Sequence, residues 1–287
     1  MLDLKGRLLP DFLIVGAMRG GTNALGHALA EHPELSIAKG ELHFFDRDDA
    51  WRRGAEHYST CFRLEGAQKL CGERTPAYSD TTRPGVSPPV QERIAALLPD
   101  AKLIWSLRDP VERAWSHHWH EVDRGRSGES FEDALARQAR SGERRHPLYL
   151  ERGLYARQIR AFLALYGRDR MHFVLAESLF ARRQETVRGV CRFLGVDPGL
   201  VAAGDGPVHN SSKRVARLGF LDRLVGRRGR TRFSRRVQRA NKWLASTERP
   251  AMLPETRMRL LDFYRPFNDD LAELTGLDLR GWGTASE

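Results

Sequence analysis

The stretch Phe12-Leu-Ile-Val-Gly-Ala-Met-Arg-Gly-Gly-Thr22 decides the fold. Residues 12–16 are a continuous apolar run, as expected of a strand covered on both faces. Gly16, Gly20 and Gly21 make a tight turn, and Thr22 opens a helix to about residue 32, with Leu25, Leu29 and the alanines along one side. Strand, glycine turn and helix start form a phosphate-binding loop. Backbone N–H groups converge on an anion there, and the helix N-terminus adds about half a positive charge. A Walker loop would carry Gly-Lys-Ser/Thr, with the hydroxyl on magnesium. Here no lysine precedes Thr22, and Arg19 supplies the cation. The competing reading is a glycine turn that serves only the chain's own packing.

Apolar runs at 35–38, 69–73, 102–107 and 171–176 predict four more strands. Helical periodicity is expected over 90–98, 110–122, 153–166, 184–194 (closed by Gly195) and 255–274. The alternation predicts an α/β protein: a three-layer, P-loop-like fold with a central parallel sheet of about five strands flanked by helices. One domain over 1–287 is the simplest division, with a basic helical segment at about 213–245 inserted in it.

The 287 residues carry a net charge of +10. Twelve Lys or Arg and one acid, Asp222, lie between Lys213 and Lys242, so the excess charge belongs to one local surface. Three readings fit it: a solvated helical face, a surface or lid for an anionic acceptor or phosphate, or contact with anionic lipid. Sparse aromatics there make nucleic acid the least favoured partner. No run of about 18 apolar residues predicts a transmembrane helix. The N-terminus lacks the order of a signal peptide, and Cys61, Cys71 and Cys191 lack metal-type spacing; reduced, buried thiols and a cytoplasmic location are expected. Cys61–Cys71 is a disulfide the spacing permits.

Candidate site residues gather after the strands. Arg108 ends the fourth strand, at the edge where open α/β sheets bind ligands. Ser116 lies about two helical turns further on, so the two could hold a second phosphate; alternatively Arg108 pairs with a nearby carboxylate. Asp109-Pro110 reads as a helix N-cap with proline at the first helical position. In Lys39-Gly-Glu-Leu-His-Phe-Phe-Asp46, Glu41 and His43 share a face if the chain is extended, and a carboxylate beside an imidazole suits general-base work on a hydroxyl. Gly72-Glu-Arg-Thr-Pro-Ala-Tyr78 brings Arg74 and Tyr78 to the same sheet edge.

The order GAMRGGTNAL, KGELHFFD, GERTPAY and LIWSLRDPVERAWSHH resembles the sulfotransferases that use 3′-phosphoadenylyl sulfate (PAPS). It is most similar to the heparan sulfate glucosaminyl 3-O-sulfotransferases, and RGLYARQIRAFLALYGRDRMHFVLAESL and LLDFYRPFNDDLAELTGLDLRGW extend the likeness across 11–282. The resemblance implies that Arg19, Gly20, Gly21, Thr22 and Asn23 hold the 5′-phosphosulfate, with Arg19 where the family usually has lysine. It implies that Arg108 and Ser116 hold the 3′-phosphate, and that Lys213 and Arg214, or Arg217, close over the nucleotide. Glu41 falls at the position of the proposed base, and His43 and Asp46 at companion positions on the acceptor side. Arg74 stands for a lysine that meets the sulfonate, with Tyr78 beside it. PAPS is the implied co-substrate, leaving as PAP, with no metal. The implied acceptor is a hydroxyl or amine of a sugar, glycolipid or secondary metabolite. Two other classes remain: a P-loop nucleotide kinase or hydrolase, which the missing Gly-Lys-Ser/Thr disfavours, and a non-catalytic binder of anionic polymer.

Overall fold

The computed structural model describes residues 6–81, 85–141, 149–202 and 251–283. Five parallel strands form one sheet in the order β2-β3-β1-β4-β5. They are β1 (Phe12–Gly16), β2 (Leu35–Ile37), β3 (Leu70–Arg74), β4 (Lys102–Leu107) and β5 (Met171–Leu175). The helices are α1 (Thr22–Ala30), α2 (Asp48–Trp51), α3 (Gly54–Ser59), α4 (Val90–Leu97), α5 (Pro110–Asp123), α6 (Phe131–Ser141), α7 (Tyr155–Leu163), α8 (Ala176–Ala181), α9 (Arg183–Leu194) and α10 (Pro254–Thr275). The α/β class and the five-strand parallel sheet therefore stand as expected, with element ends differing by up to three residues.

Alternation along the strands feeds two cores. Phe12 and Ile14 of β1, with Ile104 and Val174, pack under Leu25 and Leu29 of α1 and Val187 and Val190 of α9. Leu13, Val15, Leu103 and Trp105 point the other way, onto Ile94 of α4, Ile159 and Phe162 of α7 and Leu271 of α10. All five residues of β1 are buried. Each large aliphatic side chain so covered contributes about 2 kcal/mol.

The chain visits β3 on one side of β1 and β4 on the other. The carboxyl end of β1 is thus where the strand order reverses, and open α/β sheets bind ligands at such a crevice. The glycine loop sits there.

Two local expectations are corrected. The helix expected from residue 153 begins as a 3-10 turn at Glu151–Gly153, breaks at Leu154 (φ −82°, ψ 65°) and becomes α-helical only at Tyr155. Packing overrides periodicity here: a Cβ on Gly153 would lie 2.7 Å from Tyr264 Oη of α10. All three cysteines are free thiols; Cys71 and Cys191 are buried as expected, but Cys61 is exposed. The segment 213–245 and its expected helices lie outside the described residues.

Candidate active site

The glycine loop is fixed by backbone contacts to β4. Ala17 N donates to Ser106 O at 2.7 Å, Gly20 N donates to Ala17 O at 2.8 Å, and Ser106 Oγ donates to Gly20 O at 2.6 Å. A Cβ on Gly20 would stand 2.3 Å from Ser106 O, so only glycine allows this approach. Gly21 caps α1 at φ +87°, the left-handed region that glycine reaches without strain. α1 has no side-chain cap, so its first N–H groups are left for an anion.

Arg19 (φ +66°) turns its guanidinium along α5. Its Nε and Nη2 donate to Ser116 Oγ, both at 3.1 Å, and Nη1 lies 3.5 Å from His120 Nδ1. Ser116 and His120 are four residues apart and so share one helix face. Burial, and then Arg19, push the His120 imidazole down to about 4. It is therefore neutral at pH 7, and Nδ1 can accept from the arginine.

Arg74 ends β3 and lies across α1. Its Nη1 donates to Asn23 O at 3.3 Å, and a Cβ on Gly26 would touch its Cδ at 2.9 Å. The buried Nε of Arg74 has no hydrogen-bond partner among the described residues. An unpaired buried donor beside an uncapped helix start fits an anionic ligand.

Arg108 follows β4 and is held by Tyr155 Oη, which donates to its carbonyl at 2.8 Å. Asp109 caps α5 as expected, accepting from Val111 N at 2.8 Å and Glu112 N at 3.4 Å. Of the two readings for Arg108, the pairing with a nearby carboxylate is the one seen here: its Nη2 lies 3.5 Å from Glu112 Oε2, and Glu112 Oε1 accepts from Arg257 of α10 at 2.5 Å. Ser116 is engaged by Arg19.

The acceptor-side residues form a chain. His43 Nε2 lies 3.2 Å from Glu41 Oε2, and His43 Nδ1 lies 3.0 Å from Asp46 Oδ2. Hydrogen bonds to Asp46 and then Glu41 raise the His43 imidazole to about 9, so it is protonated at pH 7. The same His43 contact holds Glu41 below its usual range, with Arg74 and Arg124 adding attraction. Glu41 is thus an ionised, partly exposed carboxylate, oriented by a cation that is anchored on a buried one.

Three site expectations are corrected. Glu41 and His43 meet through a left-handed turn at His43 (φ +53°), not through an extended segment. The turn is set by Thr75 Oγ1, which accepts from Leu42 N at 3.1 Å and His43 N at 3.5 Å. Tyr78 was expected against the acceptor. It is fully buried, and its hydroxyl donates to Glu73 Oε1 at 3.0 Å. Asp46 has a fully buried side chain that supports His43 and is not open to an acceptor. Lys213, Arg214 and Arg217 lie outside the described residues.

The sequence reading missed His120, although its spacing from Ser116 carried the signal. It also missed Glu73 and Arg257, whose roles depend on contacts between distant segments.

A glycine loop at the strand-order reversal, with Arg19 and Arg74 beside it, Arg108 at the end of the neighbouring strand and an ionised glutamate on the loop after β2, defines a protein built to hold anionic groups. The Sulfotransferase family model matches residues 87–198. The chain is 30% identical to heparan sulfate glucosamine 3-O-sulfotransferase 6 of Homo sapiens over 284 residues, 96% of this chain and 75% of the relative. It is 30% identical to heparan sulfate glucosamine 3-O-sulfotransferase 3A1 of Mus musculus, covering 98% of this chain and 66% of that one. A sulfotransferase structure from Alicyclobacillus acidocaldarius superposes with a TM-score of 0.70 at 25% identity, covering 96% of this chain and 99% of the other. The chain belongs to the sulfotransferase family. It spans about two thirds of the length of several curated relatives, 66% and 65% for the 3A1 and 3B1 enzymes of Mus musculus.

Proposed function

We propose that the protein transfers a sulfuryl group from PAPS to a hydroxyl or amine of a carbohydrate-like acceptor. The observation that carries this is the pairing of two groups in one site. One is the glycine loop with its arginines, and the other is the Glu41–His43–Asp46 chain. The uncapped start of α1 and the unpaired Arg74 Nε fit the anionic end of the donor. Gly20, Gly21, Thr22 and Asn23 would hold it through backbone N–H groups and the Thr22 hydroxyl. Arg108 would take the 3′-phosphate by exchanging Glu112 for it.

Sulfuryl transfer parallels phosphoryl transfer: charge spreads over peripheral oxygens and the leaving oxygen gains charge, so the protein positions cations and dipoles. Arg19 supplies charge and hydrogen bonds to the departing phosphate. It is no proton source, since a guanidinium does not deprotonate near neutral pH. Arg74 neutralises the sulfonate oxygens. Glu41 accepts the acceptor's proton, and His43 holds its carboxylate in place. The carbohydrate acceptor is supported by the similarity to proteins named for heparan sulfate. A role for 213–242 at an anionic surface, and a cytoplasmic location, belong to the same proposal.

PAP binding tests the nucleotide half. PAP without added metal is expected to raise the melting temperature, since a ligand at 100 times its Kd stabilises by about 2.7 kcal/mol. An unchanged melting curve at saturating PAP would remove the assignment.

A further inference from the structure

Glu73 has no place in the scheme above, yet it is the most buried carboxylate near the site. It sits on β3, 0% exposed, and its side-chain hydrogen bonds go to three residues that touch the acceptor-side loop. Its Oε1 accepts from the hydroxyls of Tyr58 and Tyr78, and its Oε2 accepts from Thr75 Oγ1 at 2.8 Å. The oxygens of two of those hydroxyls accept in turn from the loop backbone. Thr75 Oγ1 takes Leu42 N and His43 N, and Tyr78 Oη takes Phe44 N at 3.0 Å. Tyr58 adds packing, its ring stacked on Phe44 at 4.2 Å.

The direction of these bonds matters. An ionised carboxylate only accepts. It therefore draws the hydroxyl hydrogens of Thr75 and Tyr78 towards itself and leaves their lone pairs facing the loop. Three consecutive backbone N–H groups, at residues 42, 43 and 44, find their acceptors in that arrangement. The turn they fix includes His43 at φ +53°, a conformation few side chains adopt unaided. From that turn the imidazole reaches Glu41 on one side and Asp46 on the other.

We infer that Glu73 is a positioning residue of the transfer site: through Thr75 and Tyr78 it orients residues 42–44, so that His43 bridges Glu41 and Asp46. This rests on the reading of Glu41 as the base. Glu73 touches no acceptor or donor; it acts through the loop. The groups facing it are Tyr58 of α3, Thr75 after β3, Tyr78 of the 3-10 turn Pro76–Ser79, and nearby the Asp46 carboxylate and the Cys61 thiol, which burial and Glu73 push up.

Glu73→Gln tests the polarity of the relay without changing its size. One end of the glutamine is a donor. Turned towards Thr75, it forces that hydroxyl to accept from the amide and to aim its hydrogen at the Leu42 and His43 N–H groups, which are donors themselves. Turned towards the tyrosines, it creates the same conflict at Tyr78. The variant is expected to bind PAP as the wild type does and to keep its KM for PAPS. Its kcat should fall about 10- to 100-fold, the cost of a broken buried hydrogen bond. The imidazole of His43, followed by NMR titration, should move from about 9 towards 6.5.

An unchanged kcat together with an unchanged His43 titration overturns the inference. If Glu73→Gln does not fold, the pair Thr75→Val and Thr75→Ser carries the same test. Valine keeps the shape and loses the oxygen; serine keeps the oxygen. Transfer should fall about 10-fold or more in Thr75→Val and be largely recovered in Thr75→Ser. Equal loss in both, or full turnover in Thr75→Val, contradicts the relay. The His43 titration reads loop position without turnover. A failure of the base assignment (full activity in Glu41→Gln) is therefore distinguishable from a failure of the positioning role.

Discussion

The loop at 17–21 and the loop at 40–46 are held in different ways. The first is pinned by its own backbone: Ala17 and Gly20 bond to β4, and Gly20 lies too close to Ser106 O for any side chain. The second is pinned by side chains from the turn that follows β3: Thr75 and Tyr78 hold three of its N–H groups and are themselves held by Glu73. A backbone-held loop suits a donor whose phosphates are the same at every turnover. A loop held through a polar relay can place a base to the accuracy proton transfer needs, and it depends on the charge of one buried group.

Substitutions at either loop separate the two roles. The largest effect is expected for Glu41→Gln. Loss of the base should lower kcat about 10²- to 10⁴-fold. PAP affinity, set at the other loop, should stay within about twofold by calorimetry, well under the 1.4 kcal/mol of a tenfold change. Turnover near the wild-type rate would separate Glu41 from the chemistry.

Asp46→Asn probes the same chain through stability. The His43 imidazole is raised in the folded state to about 9. Its contribution is therefore fully present below about pH 6.5 and is lost as pH rises through 9. At 1.36 kcal/mol per pH unit this amounts to about 3 kcal/mol. Denaturant unfolding of the wild type should weaken over that window, and the slope should flatten in Asp46→Asn. Identical slopes would show that His43 is not held by Asp46.

Arg108→Ala acts on the donor side. It should weaken PAP about 10- to 100-fold while barely affecting adenosine 5′-phosphosulfate, which lacks the 3′-phosphate. Equal loss for both nucleotides would place Arg108 elsewhere.

The smallest effect is a limb in the pH–rate profile. Burial pushes the Glu73 carboxyl up to about 7. Its protonation makes one oxygen a donor, with the same conflict that glutamine creates. Turnover should therefore fall by up to about tenfold per pH unit below 7. Glu41, whose carboxyl is held below the usual range, cannot supply a limb there. A flat profile from pH 8 to 5.5 would contradict the dependence on an ionised Glu73.

The backbone-held loop was legible in the sequence because its determinants are adjacent. The apolar run 12–16, the paired glycines and Thr22 specify strand, turn and helix within eleven residues. The sheet followed from equally local runs. The relay-held loop was legible only in part. Glu41, His43 and Asp46 stand within six residues, but their extended conformation was the wrong inference. The turn is imposed by Thr75, more than thirty residues away, and that information does not exist in the segment itself. For the same reason Tyr78 was read as an acceptor contact: sequence shows that it lies at the sheet edge, not which way its hydroxyl points. Arg257, which shares Glu112 with Arg108, lies on the last helix and carries no motif at all.

PAPS labelled with ³⁵S, offered with a panel of carbohydrate acceptors and no added metal, shows whether these two loops together move a sulfuryl group. Label should appear on an acceptor in step with PAP formation. No label on any hydroxyl- or amine-bearing carbohydrate, with PAPS left intact, would contradict such transfer.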